Sequence, residues 1–301
     1  VLERARALVE QCVANGTAFI RTHVDIDPDI GFKHFESMVA VREEYRDVVD
    51  IQIVAFPQHG LIVKPGTLEL MDEAIDSGAH IVGGLDPATF DRDTDGHLDA
   101  IFALAERKGV GLDIHLHDGG ELGASEIAQI AERTIAAGMQ GNVVISHAYA
   151  LGAIAQDSFD RVATLLAKAD VSIMTNAPGD HAFPPVLPLR AAGVNVFAGS
   201  DNVRDTWWPY GDADMLNRAM MIGYRSGFYE DRELEIAFDL ISRAGAKAVG
   251  LHRFGIGVGN PANLVAVKAR HIPEAVVTYP ERLLGLHHGR VVARNGQFGR
   301  E

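Results

Sequence analysis

Cysteine is almost absent. The 301 residues contain one, Cys12, so no disulfide framework and no Cys-based zinc site can be built, a usage that suits a reducing cytoplasm. Basic residues are scarce as well: Lys and Arg number 27 against 41 Asp and Glu, for a formal charge of -14. The summed field repels polyanions, which excludes nucleic acid as a partner and disfavours an anionic membrane surface. No apolar run approaches the ~18 residues of a membrane span. Internal repeats, low-complexity linkers and a Gly-rich phosphate loop after a strand are missing too. There is no initiating Met: the chain opens on Val-Leu-Glu-Arg-Ala-Arg, already inside an amphipathic helix with Leu2, Ala5, Val9, Cys12 and Val13 three or four apart. The expectation is that a further stretch precedes residue 1.

What is present has the composition of a globular protein, 47% hydrophobic and 23% charged. β-rich runs at 18–25, 50–56, 80–86, 110–117, 142–147, 171–176 and 194–200 alternate with helical patterns at 31–45, 68–77, 96–108, 125–137, 158–169 and 186–192. Several helices end in Gly and run straight into the next strand, as in Ser77-Gly78-Ala79. Strict alternation with nearly continuous apolar strands implies a parallel sheet buried on both faces. The reading is an α/β fold, a (β/α)8 TIM-like barrel whose first strand lies upstream of residue 1, with the opening helix following it. An open doubly wound sheet is the alternative, which the absent phosphate loop disfavours. After residue 200 the pattern turns to helices at 215–225 and 232–243. From about residue 255 it becomes short β-like runs at 263–268, 275–278 and 290–294, the last followed by the turn signal Asn295-Gly296. The expected division is a barrel over 1–254 and part of a small β domain over 255–301.

In a barrel, catalytic groups sit where strands end. Here the strand ends carry Arg21-Thr22-His23-Val24-Asp25, Phe56-Pro57-Gln58-His59, Asp86, His115-Leu116-His117-Asp118, Ser146-His147 and Ser200-Asp201-Asn202. His115 and His117, two apart in a strand, face the same side. Such a pair alone is more often structural than functional. Its weight comes from His147 one strand later and Asp201 at the last strand. Neutral imidazoles plus a carboxylate with an open position suit Zn²⁺ or Fe²⁺, and such an ion lowers the pKa of water to about 7. Asp201, His117 and Asp118 are then placed to move the proton to a leaving nitrogen.

Histidines at the fifth and sixth barrel strands and aspartate at the eighth resemble the amidohydrolase superfamily. Within it, the chain is similar to the cytosine-deaminase group and its triazine-degrading aminohydrolases. The resemblance runs over nearly the whole chain. It rests on the strand-end motifs, on Ile51-Gln52-Ile53-Val54-Ala55-Phe56, Val82-Gly83-Gly84-Leu85-Asp86-Pro87-Ala88-Thr89 and Ala198-Gly199-Ser200-Asp201-Asn202-Val203-Arg204-Asp205, and on Gly255-Ile256-Gly257-Val258-Gly259 and Asn263-Leu264-Val265. It implies a metal held by His115 and Asp201 with a His-x-His pair expected upstream of residue 1. It implies that Asp201 is also a proton shuttle and that His147 polarises water or substrate. Cytosine deaminase has Cys-Asp-Glu after the metal histidine; here His117-Asp118 stands instead, which puts cytosine in doubt and gives His117 part of the glutamate's work. Gln58 corresponds to the residue reading the pyrimidine edge. Asp86 and Asn202 would lie near the substrate, and Trp207, with Trp208, either stacks on a flat ring or is simply packed.

His23 is read as either support for the ligands or a core hydrogen-bonding group. His34, His80, His97, His181, His252, His271, His287 and His288 are read as lying outside the chemistry. The turn Asp91-Arg92-Asp93-Thr94-Asp95-Gly96 lacks the last ligand of a Ca²⁺ loop, Phe102 standing there, and is read as a solvated helix start. The function implied is a cytoplasmic metal-dependent hydrolase, with one Zn²⁺ or alternatively Fe²⁺, acting on a small heterocyclic substrate. It would release an amine or ammonia from a ring carbon, with an N-isopropylammelide-type triazine favoured and a substituted pyrimidine such as cytosine as the alternative. The resemblance also implies a homo-oligomer. A reading of another class, a metal-free binding protein, applies if no His-x-His precedes residue 1.

Overall fold

The computed structural model describes residues 1–179 and 181–300. The chain forms two compact units, one of Arg21–Val39 and Gln52–Val196, the other of Val1–Ile20, Ala40–Ile51 and Phe197–Glu301.

The strands are β1 (Phe19–Asp25), β2 (Asp50–Phe56), β3 (Ile81–Leu85), β4 (Gly111–Leu116), β5 (Val143–His147), β6 (Ser172–Thr175), β7 (Val196–Ala198), β8 (Leu264–Val267), β9 (Arg282–His287), β10 (Arg290–Arg294) and β11 (Gln297–Phe298). The helices are α1 (Leu2–Ala14), α2 (Lys33–Tyr45), α3 (Thr67–Asp76), α4 (Thr94–Lys108), α5 (Gly120–Ala136), α6 (Gln156–Lys168), α7 (Val186–Ala191), α8 (Met215–Ser226), α9 (Asp231–Leu240), α10 (Arg243–Ala248) and α11 (Ile272–Thr278).

Strands β1 to β7 make one sheet in simple sequential order, and the pairs from β2 to β6 are parallel. Sequential order has no switch point, so the doubly wound alternative is excluded and the fold is TIM-barrel-like. Every residue of β3, β5 and β6 is buried, as a sheet covered on both faces requires. Helices α4 and α5 bury one apolar face each, through Leu98, Ile101, Leu104 and Ala105 and through Ala124, Ile127, Ile130 and Ala131. Burying each Ile or Leu contributes about 1.5–3 kcal/mol. Local signals fix the helix limits: Asp93 caps α4 by accepting from the Gly96 N–H at 2.9 Å, and Gly109 ends it at φ 66°.

Gly83 and Gly84 mark a close approach within the sheet. A Cβ on Gly83 would lie 2.7 Å from the Ala55 carbonyl oxygen and 2.8 Å from the Phe56 ring, and one on Gly84 would lie 3.0 Å from His97 Nε2. The bareness of β3 therefore admits Phe56 on one side and His97 on the other.

In the other unit, β8 to β11 form an antiparallel sheet in the order β11-β10-β9-β8. Asp214 caps α8 and pairs with Arg282, whose Nε also donates to the Asn15 carbonyl at 3.0 Å. The expected β-like run at 275–278 is instead the last turn of α11. His271 accepts from the Glu274 N–H, a proline sits in the first turn, and Pro273, Ala275 and Val276 are buried, so capping and packing override the β-branched side chains. Strand β9 and helix α10 lie outside the runs expected from the sequence. No helix among the described residues is long and apolar enough to cross a membrane.

Candidate metal centre

The ends of β4 and β5 bring three imidazoles together. His115, His117 and His147 each present a ligand atom, all within 4.8 Å of one another, and an overlapping set joins His23, Asp113 and His115. The His115 ring lies 4.7 Å from that of His147 at 90° and 4.3 Å from that of His23, while His117 stacks on His147 at 4.4 Å. Phe56 closes the apolar side, 4.7 Å from His115 and 5.1 Å from His23.

Burial sets the protonation of this cluster. It holds the His115 imidazolium well out of reach at neutral pH, with His23, His147 and His117 adding repulsion. Burial likewise pushes His147 down to about 3, with His117 adding to the fall. His115 Nε2 is buried and makes no hydrogen bond among the described residues. Neutral imidazoles with an unsatisfied buried nitrogen are what a borderline divalent cation binds, so the donor set fits a metal ion.

Carboxylates support the histidines from below and beside. Asp113 on β4 accepts from Arg21 Nη1 at 2.9 Å and Ser146 Oγ at 2.8 Å and lies 3.4 Å from His23 Nε2. Burial alone would raise its pKa; the neighbouring His23 and Arg21 outweigh it and bring the carboxyl to about 2. Asp86, just past β3, accepts from the His117 backbone N–H at 2.6 Å and from His117 Nδ1 at 2.8 Å. That pairing assigns the proton to Nδ1 and makes Nε2 the acceptor nitrogen. Asp118 accepts from the Thr89 N–H at 3.3 Å and from its hydroxyl. Glu126 on α5 accepts from the Ala88 N–H at 2.8 Å, and burial pushes its pKa up to about 8, with Asp118 and Asp86 adding to the rise.

Left-handed backbone recurs at or just beyond the ends of β3, β5, β6 and β7. Asp86, His147, Ala148, Ala177 and Asp201, none of them glycine, have φ of 32°, 75°, 46°, 46° and 59°. Each such residue costs about 1 kcal/mol or more, and strain of this kind clusters at functional sites.

Of the residues singled out in the sequence, His115, His117, His147, Asp86 and Asp118 converge in one unit. Gln58 is half-buried just beyond β2, beside His59, whose Nδ1 pairs with Asp27 at 2.6 Å. Asp201, Asn202 and Trp207 belong to the other unit. Asn202 Nδ2 donates to Asp205 at 2.7 Å, and Trp207 is 72% exposed. Sequence reasoning missed Tyr149, whose hydroxyl is 3.4 Å from His147 Nδ1, together with Phe56, the buried Asn176 after β6, and Glu126. An aromatic two residues after His147 was the available signal for Tyr149. Asp91 was expected in a solvated turn and is instead buried, because its carboxylate accepts the Leu61, Ile62 and Val63 N–H groups and His97 Nδ1.

A parallel strand-end histidine cluster on a TIM-barrel-like sheet is a donor set of the kind that holds a metal ion at the functional end of such folds. The sequence profile of the Amidohydrolase family matches residues 2–293, and the chain belongs to that family. It is 34% identical over 284 residues to the N-isopropylammelide isopropyl amidohydrolase of Pseudomonas sp. (strain ADP), covering 94% of this chain and 70% of that protein. The crystal structure of N-isopropylammelide isopropylaminohydrolase from Burkholderia multivorans ATCC 17616 superposes with a TM-score of 0.97 at 44% identity, over 99% of this chain and 76% of that one. That of 5-methylcytosine deaminase from Klebsiella pneumoniae, liganded with 5-fluorocytosine, gives 0.89 at 27% identity, over 97% and 74%.

Proposed function

We propose that this amidohydrolase releases an alkylamine or ammonia from a ring carbon of a small nitrogen heterocycle, an N-isopropylammelide-type triazine before a pyrimidine. The observation that carries the reading is the histidine cluster of His115, His117 and His147 in a chain 44% identical to a protein named for that triazine reaction. A single divalent cation, Zn²⁺ before Fe²⁺, would be held by His115 and Asp201. When bound it supplies Lewis acidity, lowering the pKa of water to about 7.

The chain's own residues then divide the proton work. His117, oriented by Asp86, takes the water proton at Nε2 as the oxygen bonds to the ring carbon, and returns it to the departing nitrogen as the C–N bond breaks. Asp201 shares this transfer. His147, neutral through burial, polarises the water or the ring, and Asp118, which accepts from Thr89, assists the proton transfer. Gln58 and Asn202 read the ring edge, and Trp207 covers its face. In this reading residues 1–254 carry the barrel and residues 255–301 belong to the small β domain. The lone cysteine supports a cytoplasmic location and the family resemblance a homo-oligomer.

The similarity to 5-methylcytosine deaminase supports a second reading, cytosine-type deamination. Amine release from N-isopropylammelide and from cytosine, measured side by side with metal content, tests both. Faster release from the triazine with about one catalytic metal is the expected result. Preference for cytosine favours the second reading, and no metal with no release from either overturns both in favour of a binding protein.

A further inference from the structure

A second cluster of ligating side chains lies in the unit that does not hold the three-histidine centre. Asp50, the first residue of β2, meets His287, the last of β9, and His288, the first turn residue after it. Their ligand atoms all lie within 4.8 Å of one another. His288 Nε2 is 3.7 Å from Asp50 Oδ2, and the two imidazoles stand edge to face at 4.3 Å.

Two further observations single this cluster out. First, His287 is 1% exposed, and neither of its ring nitrogens has a hydrogen-bond partner among the described residues. A buried imidazole without partners is costly unless something absent from the protein chain satisfies it. Second, the same sheet contains two hairpins with two-residue loops. His287 pairs with Arg290 around His288-Gly289, and Arg294 pairs with Gln297 around Asn295-Gly296. Both loops have positive φ at both positions, 49° and 83° in one and 49° and 67° in the other. Asn-Gly is the preferred filling of such a turn, and histidine tolerates the left-handed first position less well. The hairpin thus keeps a poorer turn residue where its side chain reaches a buried histidine and an aspartate.

We propose that Asp50, His287 and His288 bind a divalent cation of the Zn²⁺ class, at a site separate from the catalytic centre. Two imidazoles and a carboxylate are a donor set for this class, with Asp47 adding negative charge nearby. Tetrahedral coordination at about 2.0–2.1 Å needs ligand atoms about 3.3 Å apart, closer than the 3.7 Å now between His288 Nε2 and Asp50 Oδ2. The His288 and Asp50 side chains, 54% and 45% exposed, have room to make that approach. The bound ion ties the β9–β10 turn to the start of β2 and stabilises the folded state by mass action.

The test is Zn²⁺ stoichiometry of the whole chain by equilibrium dialysis and metal analysis, with Co²⁺ absorption as a second readout. The variant His288→Asn restores the favoured Asn-Gly turn, so it should fold at least as well as the parent while losing one equivalent of Zn²⁺ and the rise in Tm that Zn²⁺ produces. Asp50→Asn should weaken the same equivalent at least tenfold. Zn²⁺ content and Zn²⁺-dependent Tm in His288→Asn identical to those of the parent would overturn the site.

Discussion

His97 and His117 each set Nδ1 against an aspartate, at 2.6 Å from Asp91 and 2.8 Å from Asp86. Local chemistry is the same and surroundings differ. Both members of the first pair are fully buried at the start of α4, and its carboxylate also gathers three loop amides of 61–63. Burial would raise the Asp91 pKa, but the hydrogen bonds from His97 and those amides outweigh it and hold the carboxyl below its ordinary value. The second pair sits at strand ends, with the His117 side chain 40% exposed and clustered with two more imidazoles. A histidine–carboxylate pair sealed in the core is a staple, and the same pair at an open strand end is placed where it can react.

Substitutions can break that comparison. His117→Ala should have the largest effect, lowering amine release by about 10²–10⁴-fold with Tm nearly unchanged, since a half-exposed side chain is lost. A comparable loss of Tm would make the pair structural. Asp91→Ala should do the reverse. Leaving His97 and three amides unmatched costs about 3 kcal/mol, seen as a drop of about 5–10 °C in thermal melting, with unchanged turnover per folded molecule. Asp86→Asn should come next, slowing turnover about 10–100-fold by loosening the His117 tautomer, and a kcat equal to that of the parent would remove Asp86 from its positioning role.

Glu126 is tested by pH rather than by turnover. Its folded pKa, about 8, lies above the ordinary carboxyl value of 4.5, so between those pH values the folded state keeps a proton that the unfolded state releases. Stability from this group is therefore full below about pH 4.5 and falls as pH rises toward 8, by up to about 1.4 kcal/mol per unit. Glu126→Gln should flatten the decline of Tm between pH 5 and 8, and an unchanged slope would show the carboxyl to be ionised there.

Much of the barrel and its histidine cluster is legible in the amino-acid sequence. Strict alternation places β1 to β7, and β2 matches at both ends, because buried parallel strands are continuous apolar runs with Gly punctuation. His115, His117, His147 and Asp86 are legible because strand ends carry the chemistry of such folds. The tail is harder. Strand β9 reads Arg-Leu-Leu-Gly-Leu-His, without β-branched residues, and Ala-Val-Val-Thr has the composition of a strand although capping makes it a helix. Asp91 and Glu126 escape because each owes its state to partners far away in sequence. His287 and His288 read as lying outside any chemistry for the same reason, Asp50 being more than two hundred positions upstream.

The left-handed residues at the strand ends imply a trade between durability and use. Asp201 is exposed and holds φ at 59°, so glycine there would relax the backbone by about 1 kcal/mol while deleting a carboxylate. Drift freed from any demand for turnover would favour that exchange. With Asp201 in the proton-transfer role proposed above, a duplicate of this protein that had lost its substrate should betray itself by a glycine at this position and by a higher melting temperature than the working copy.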